Sequence, residues 1–444
     1  MTNKKVFFWA IVVALGGFLF GFDTAVISGA EKAIQQLWQL SVFEHGLTVS
    51  IALIGTVLGA LFGGIPSDKY GRKVTLFAIA VLYLLSSVGT ALAPEWFTFL
   101  IFRFLGGIGV GVSSVTAPLY ISEIAPARDR GKLVGMFQFN VVFGILVAYL
   151  SNFLFGGEGD NDWRWMLGVQ AFPSLIFLVA VLFVPESPRW LVLRRGKIEE
   201  AKRTLKIANP DSDVNQIVAD ILISSQNADG SQARASLFAR QYRTPVTLAI
   251  LFAFFNQASG INAIIYYAPR IFEMAGLGKS SALLSSAGIG LINFLFTLLA
   301  INFIDRFGRR TLMLIGSFGL ILTLGLVAKA FYFSEFDGYA VPVYLFVYIA
   351  FFAFSQGAVI WVFISEIFPN KVRASGQALG SFTHWLMAAI IAFTFPYIAE
   401  TLGGGNTFLL FSAMMVLQLL FVWRIMPETK NTSLEQIEKT VVIH

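Results

Sequence analysis

Twelve apolar runs of about 20 residues, joined mostly by short polar turns, constrain this chain more than any other feature. A helix of about 20 residues is about 30 Å long, the thickness of a bilayer's hydrocarbon core. The runs fall at approximately Val6–Ser28, Leu47–Ile65, Val74–Ala93, Phe97–Pro118, Leu133–Leu154, Trp165–Val184, Val246–Phe272, Ser280–Ile304, Thr311–Phe333, Val341–Ile364, Ala374–Ile398 and Thr407–Met426. Only 13% of the 444 residues are charged, where a soluble domain carries about a quarter. Mean hydropathy is +0.73. Lipid is the implied solvent, and the expected class is an all-α membrane protein. Lys4-Lys5 ahead of an apolar run, with Ser28-Gly29-Ala30 after it, imitates a secretory signal. The run is too long for a signal core and holds Asp23, so it is read as a retained first helix.

Composition closes off several functions. The absence of cysteine removes disulfides and thiolate metal sites. His45, His384 and His444 are not spaced as a metal pair, so no metal is expected. A net charge of +6 raises the question of nucleic acid, but the cations sit in short loops between apolar runs, as topology signals do. Gly106-Gly-Ile-Gly-Val-Gly imitates a dinucleotide fingerprint, yet no strand precedes it and it lies inside a span, where close helix packing explains it. No nucleophile–base pair or nucleotide loop stands out. The expectation is a protein with no cofactor, no nucleic-acid partner and no enzymatic activity.

The chain also repeats itself. Asp68-Lys-Tyr-Gly-Arg-Lys after span two matches Asp305-Arg-Phe-Gly-Arg-Arg after span eight. Ser122-Glu123 with Arg130 matches Ser365-Glu366 with Arg373, and Pro185-Glu186-Ser187 matches Pro427-Glu428-Thr429. Each match lies about 240 residues further on, in the same order and on the same side. This predicts a duplicated six-helix unit, the architecture of rocking two-bundle carriers. The expected domains are an N-terminal bundle over 1–190, a cytoplasmic helical linker over 191–243, a C-terminal bundle over 244–430 and a tail over 431–444. Within the linker, Arg194–Lys206 reads as an amphipathic surface helix and Asn209–Ser236 as linker. With both termini cytoplasmic, about 26 of the 32 cations lie inside, which fixes the orientation.

Longer motifs carry a resemblance. They are Gly16-Gly-Phe-Leu-Phe-Gly-Phe-Asp23-Thr-Ala-Val-Ile-Ser-Gly, Arg103-Phe-Leu-Gly-Gly, Pro185-Glu-Ser-Pro-Arg-Trp, Asn256-Gln-Ala-Ser-Gly-Ile-Asn-Ala-Ile-Ile-Tyr-Tyr-Ala-Pro, Trp361-Val-Phe-Ile-Ser-Glu-Ile-Phe-Pro and Pro427-Glu-Thr-Lys. Together they resemble the sugar porter family of the major facilitator superfamily over essentially the whole chain, with bacterial sugar–proton symporters the nearest pattern. The resemblance implies the major facilitator fold, twelve transmembrane helices in two pseudo-symmetric six-helix bundles. It also implies a monomer in a bacterial inner membrane that imports a monosaccharide with a proton by alternating access. A facilitative sugar or polyol uniporter, or a non-transporting sensor on the same fold, are the alternatives.

Three groups of residues would do this work. Asp23 and Arg103 each lie about six residues from the same membrane face, a depth of about 9 Å, so they can meet. An intramembrane acid faces a partner or a watery cavity. Asp23 resembles the proton-coupling aspartate of the symporters, where facilitative carriers have asparagine; the bland reading is a permanent ion pair. A sugar site needs side chains that donate and accept, plus aromatic faces. Gln138, Asn256, Gln257, Asn262 and Asn293 supply uncharged amides in apolar spans, with Ser259-Gly260 loosening span seven beside them. Interhelical hydrogen-bonded glue is the alternative for any single amide. Phe20, Tyr266 and Trp361 resemble the family's aromatic contributors. His384-Trp385 stands where the xylose–proton symporter has Gln-Trp, and His384 reads as a ligand, a second titrating group or a packing residue. Gln356-Gly-Ala departs from the usual aromatic-Gly-Pro and puts a kink in span ten in doubt. Asp68, Arg72, Glu123, Arg130, Asp305, Arg309, Glu366 and Arg373 would form a cytoplasmic gate, pairing across the halves to hold that side shut.

Overall fold

A computed structural model of the chain describes residues 4–430 apart from 127, 158, 211–212, 232–235, 335, 337 and 370–371, and does not describe the side chains of 224–231, 301, 302 and 305. The tail predicted over 431–444, with His444, lies outside the described residues, as does the side chain of Asp305.

The described chain is helical, with no strand. The spans are α1 (Lys4–Leu37), α2 (Val42–Phe62), α3 (Arg72–Leu92), α4 (Trp96–Ile124), α5 (Arg130–Phe155), α6 (Asp162–Val181), α7 (Arg240–Met274), α8 (Lys279–Phe307), α9 (Arg309–Phe333) and α10 (Ala340–Ile367). The last continuous element, Arg373–Arg424, is 52 residues long and breaks at Gly403, whose φ of 77° and ψ of 160° are not helical. At 1.5 Å per residue such a length is about 78 Å, more than twice a hydrocarbon core. It therefore holds two spans, α11 (373–402) and α12 (404–424), and the total is twelve. Alternation puts residues 4 and 430 and the α2–α3, α4–α5, α8–α9 and α10–α11 turns on one side, the near side. The α1–α2 and α7–α8 turns lie on the far side.

Local chemistry explains the ends. Ser41 Oγ and its N–H both donate to Glu44, at 2.7 and 2.9 Å, while the Glu44 N–H donates back to Ser41 Oγ at 3.3 Å. This reciprocal capping box starts α2. The predicted first span stops at Ser28, but α1 continues to Leu37, carrying Glu31 and Lys32 in helix. Glycine sets how closely helices approach. A Cβ on Gly55 or Gly59 of α2 would come within 2.4 Å of the Phe104 or Ile108 carbonyl of α4. One on Gly21 of α1 would lie 1.8 Å from the Val141 carbonyl of α5. Small residues at these crossings let backbones touch, the means by which helices associate in lipid.

The described residues within 1–23, 55–145 and 167–234 form one compact unit, and those within 24–54, 146–166 and 235–444 form another. In the first, the near-side helix Ile198–Ala208 confirms the amphipathic stretch read from sequence. Asn209–Ser236, read as linker, instead contains the helix Val214–Ser231. Its Val214, Ile217, Val218 and Ile221 recur at helical spacing and pack with Trp190, Leu191 and Leu205, a pattern diluted in the sequence by polar residues between them. In the second unit, Phe252, Phe363 and Phe421 anchor an apolar core shared by α7, α10 and α12.

Candidate functional site

Asp23 and Arg103 meet in the interior of the first unit. Arg103 Nη1 donates to Asp23 Oδ1 at 2.8 Å, and Nη2 reaches the Asp23 carbonyl at 3.4 Å. Both residues are buried, at 3% and 1% exposure. Gly106, one turn along α4, lets Ser86 pack close beside the pair: a Cβ there would strike Ser86 Oγ at 2.3 Å, while Asp23 Oδ1 would lie at an ordinary 3.8 Å. Arg103 Nε finds no partner among the described residues, so the pair is not saturated. Removing one member of such a pair leaves a buried charge and costs about 3–5 kcal/mol.

Three amides of the second unit, Asn256, Gln257 and Asn262, form one connected cluster around a break in α7. The helix stops at Ala258 and restarts at Ile261, with Gly260 at φ 83° between them. A side chain there would be strained and would strike the Phe411 ring at 2.6 Å. Asn262 Nδ2 donates to Gln257 Oε1 at 2.7 Å, and Gln257 Nε2 donates to Asn256 Oδ1 at 2.9 Å. Gln257 Nε2 also lies 3.3 Å from the His384 ring nitrogens. The His384 ring in turn sits 4.9 Å from both the Trp361 and Trp385 rings. Polar groups that both donate and accept thus stand beside aromatic faces. Tyr266 is buried on the same short helix. Asn293 is half-buried and is not hydrogen-bonded into the cluster. Phe20 and Gln138 are half-buried residues of the first unit.

The kink in α10, doubtful without its proline, is present. The helix breaks at Ser355, and its N–H falls back on Phe351 and Phe352 carbonyls. Two residues that sequence reading missed support α7 at its irregular points. Tyr348 donates to the Ser259 carbonyl at the break, at 2.9 Å, and Tyr149 donates at 2.6 Å to the Ile265 carbonyl, which Pro269, four residues on, has no N–H to fill. Buried tyrosines opposite a Ser-Gly break and a helical proline were the available signal.

On the near side the repeated motifs build repeated geometry. Arg72 pairs with Glu123 through two hydrogen bonds of 3.0 Å, and Ser187 Oγ donates to the same carboxylate at 2.6 Å. Arg309 donates to Glu366 at 2.8 Å, and Thr429 Oγ1 donates to that carboxylate at 2.6 Å. Glu186 accepts the Arg72 N–H at 2.9 Å at the start of α3, and Glu428 accepts the Arg309 N–H at 3.0 Å at the start of α9. A carboxylate at a helix N-terminus satisfies open N–H groups and meets the positive end of the dipole. Gly71 and Gly308 take matching angles, φ 104° and 90°, and a Cβ on either would touch the capping glutamate. Glu186 and Glu428 belong to the repeat but not to the expected gate residues; their identical placement after spans six and twelve is the signal for their matching roles. The sequence reading pairs these charges across the halves. Instead each Arg–Glu pair closes within one half, because the acid sits at the end of α4 or α10 beside its own half's arginine. Asp68 accepts from Arg72 at 3.0 Å. Arg130 and Arg373 donate to the Ser122 and Phe368 carbonyls, both at 3.1 Å, rather than to an acid.

Comparison with known proteins identifies the family and the fold. The family described as "Sugar (and other) transporter" matches residues 9–440. The chain is 36% identical to the D-xylose-proton symporter of Escherichia coli strain K12, covering 98% of this chain and 96% of the relative. It is 37% identical to the arabinose-proton symporter of Bacillus subtilis, over 96% and 92% of the two chains. Among solved structures, the inward-open xylose transporter of E. coli superposes with a TM-score of 0.87 at 34% identity, covering 98% of this chain and all of the other. The same symporter bound to 6-bromo-6-deoxy-D-glucose gives 0.80 at 35% identity, over 99% and 100%. Twelve spans, two related six-helix halves and these matches identify a multi-pass membrane protein of major facilitator fold, and the chain belongs to the sugar transporter family.

Proposed function

We propose that this protein imports a monosaccharide, hexose or pentose, together with a proton by alternating access. The observation that carries the reading is the buried Asp23–Arg103 pair. An acid and a base placed in an oily interior need a reason to be there, and a proton that binds when the two part supplies one. Proton occupancy of Asp23 and its distance from Arg103 are then linked, so one conformation loads the proton and the other releases it. The driving force suffices: about 2.3 kcal/mol per 100 mV and about 1.4 kcal/mol per pH unit for each proton.

The sugar is held by Gln257, Asn256, Asn262 and His384 against Trp361 and Trp385, with Tyr266, Asn293, Phe20 and Gln138 completing the pocket. Neutral amides suit hydroxyls because each offers a donor and an acceptor without a fixed charge. Bundles 1–190 and 244–430 move about this site, tethered by the linker 191–243, and the near-side Arg–Glu clusters brace the cytoplasmic ends. Both termini are cytoplasmic by the distribution of cations, in a bacterial inner membrane, and the carrier works as a monomer without cofactor or catalytic residue.

Purified protein in proteoliposomes, given an inward pH step and a panel of sugars, tests this. Uphill accumulation should follow the proton gradient. Asp23→Asn should abolish accumulation while sparing sugar exchange. Accumulation unchanged in the mutant sinks proton coupling through Asp23; uptake indifferent to pH in the parent leaves a uniporter; no flux of any sugar leaves a sensor.

A further inference from the structure

The far-side end of the second unit carries a charge cluster, two of its three members buried, with no duplicate among the described residues and no role in the reading above. Glu31 of α1 is 1% exposed and His45 of α2 is wholly buried. His45 Nε2 lies 2.8 Å from Glu31 Oε2. Arg270 of α7 donates to Gln35 Oε1 at 2.9 Å and to Glu31 Oε2 at 3.3 Å, and its Nη1 is 3.1 Å from the same imidazole nitrogen. Three helices are thus joined by one acid, one guanidinium and one imidazole.

The donor inventory fixes the proton count. A guanidinium only donates and a carboxylate only accepts. His45 Nε2 must therefore carry a hydrogen for Glu31, and Arg270 Nη1 spends its two hydrogens on Gln35 and Glu31. His45 Nδ1 is buried and has no partner among the described residues. A second proton on the ring would sit on that nitrogen with nothing to accept it. It would also put a cation 3.1 Å from Arg270, with a single carboxylate between the two.

Surrounding groups do not change this count. On α7, the Tyr267 ring stands edge-on 5.9 Å from the imidazole, and its hydroxyl donates to the Ala392 carbonyl of α11 at 2.9 Å. Lys32 of α1 is paired with Glu273 of α7. Glu44, on His45's own helix, is held by Ser41. Asp162 of α6 accepts the N–H groups of Gly157 and Gly159 at 2.8 and 2.9 Å. Glu400 of α11 lines a cavity together with Arg270 and Gln35.

We propose that Glu31, His45 and Arg270 form a proton-responsive latch, a second proton-binding site that holds the far-side ends of α1 and α2 against α7 while His45 is singly protonated and lets them part when it takes a second proton. The closed arrangement has no place for that proton. Once the ends separate, water reaches His45 and supplies the acceptor that a second ring proton needs. Acid on the far side therefore favours opening toward it, the face from which a symporter loads. This rests on the alternating-access reading but needs neither a sugar nor Asp23.

The test uses that independence. The chain has no cysteine, so a single introduced thiol reports alone. Ala268 is fully buried on α7 next to Tyr267, and Ala268→Cys is introduced in the full-length Asp23→Asn protein, which removes the other proposed proton site. Labelling by a membrane-impermeant maleimide is measured without sugar and divided by the rate at Gln36→Cys, an exposed position, to cancel the thiol's own ionisation. From about pH 7.5 to about pH 5.5 the ratio should rise about three- to tenfold, and in His45→Gln it should be flat. His45→Asn gives the same answer if the glutamine protein folds poorly. A pH response that survives both replacements, or none in the protein with His45, overturns the latch. Loss of symport in the transport assay leaves this result standing, so the two readings fail separately.

Discussion

The near-side and far-side charge clusters share their ingredients but not their logic. Each near-side cluster ties together helices of one half: Arg72 to Glu123, and Arg309 to Glu366, with a glutamate capping the following helix. It is built twice on matching partners, with Arg72 on both oxygens of Glu123 and Arg309 on one oxygen of Glu366. Among the described residues the far-side cluster occurs once, and it joins α1 and α2 to α7, whose linking arginine lies more than 200 residues further along the chain. Duplication preserves what holds a half together, since both halves need it. A latch that must make and break between halves needs one copy, and its histidine gives it a dependence that the near-side arginines lack.

The largest expected effect separates brace from latch. Arg72→Ala strands Glu123, whose side chain is 6% exposed, and should cost about 3–5 kcal/mol of stability. Arg309→Ala should cost somewhat less, because Glu366 is 21% exposed and water can reach it. Thermal unfolding in detergent measures both. Equal and negligible shifts would mean that neither cluster braces its half.

Backbone strain comes next. Gly71→Ala and Gly308→Ala each force a side chain onto a positive φ and against Glu186 or Glu428, at 2.3 and 2.6 Å. Each should lose about 1–3 kcal/mol, and by similar amounts if the duplication is functional as well as geometric. A tolerated substitution on one side only would break the equivalence of the halves.

Much of this was legible beforehand, for identifiable reasons. Twelve spans follow from hydropathy because lipid forces helices to be long and apolar, and only boundaries moved. The meeting of Asp23 with Arg103 followed from depth alone, since two groups at one level in adjacent spans have few other partners. The near-side motifs were visible as a repeat, but their pairing was not. Spacing shows that an arginine and a glutamate lie at helix ends; it does not show which end neighbours which, and here each closes within its own half. The far-side cluster was missed because the first span was ended at Ser28, which left Glu31 in a loop, when α1 carries it on to Leu37. A helix crossing the membrane with polar residues beyond its apolar run reads as shorter than it is. The helix Val214–Ser231 hid for the same reason, its four apolar anchors being thinly spread.

Arg270→Gln should cost less than Arg72→Ala, about 1–2 kcal/mol, although Glu31 is as buried as Glu123. The difference is the imidazole: Glu31 keeps His45 as a donor at 2.8 Å, while Glu123 without Arg72 keeps, among the described residues, the Ser187 hydroxyl at 2.6 Å. The same mutant should label faster at Ala268→Cys at every pH, because α7 has lost its buried ionic link to α1 and keeps the more exposed Lys32–Glu273 pair. A large stability loss with unchanged labelling would reassign Arg270 from latch to brace.

The smallest effect probes the last bond of the repeat. Ser187 and Thr429 place a hydroxyl on the carboxylates of Glu123 and Glu366, both at 2.6 Å. Ser187→Ala leaves Glu123 with Arg72 on both its oxygens, at 3.0 Å each. Thr429→Val keeps the shape but leaves Glu366 Oε2 without that hydroxyl, and Arg309 meets the other oxygen, Oε1, at 2.8 Å. A hydrogen bond to a charged group contributes about 1.5–3 kcal/mol at most, and water reaching Glu366 offsets part of it, so both substitutions should fall near about 1 kcal/mol. The serine is the more silent of the two in thermal unfolding, because its carboxylate is already held twice. If Ser187→Ala proved the costlier, the Arg72 bonds would not suffice to hold Glu123, and the first half would depend on the loop after α6 more than the second half depends on the loop after α12.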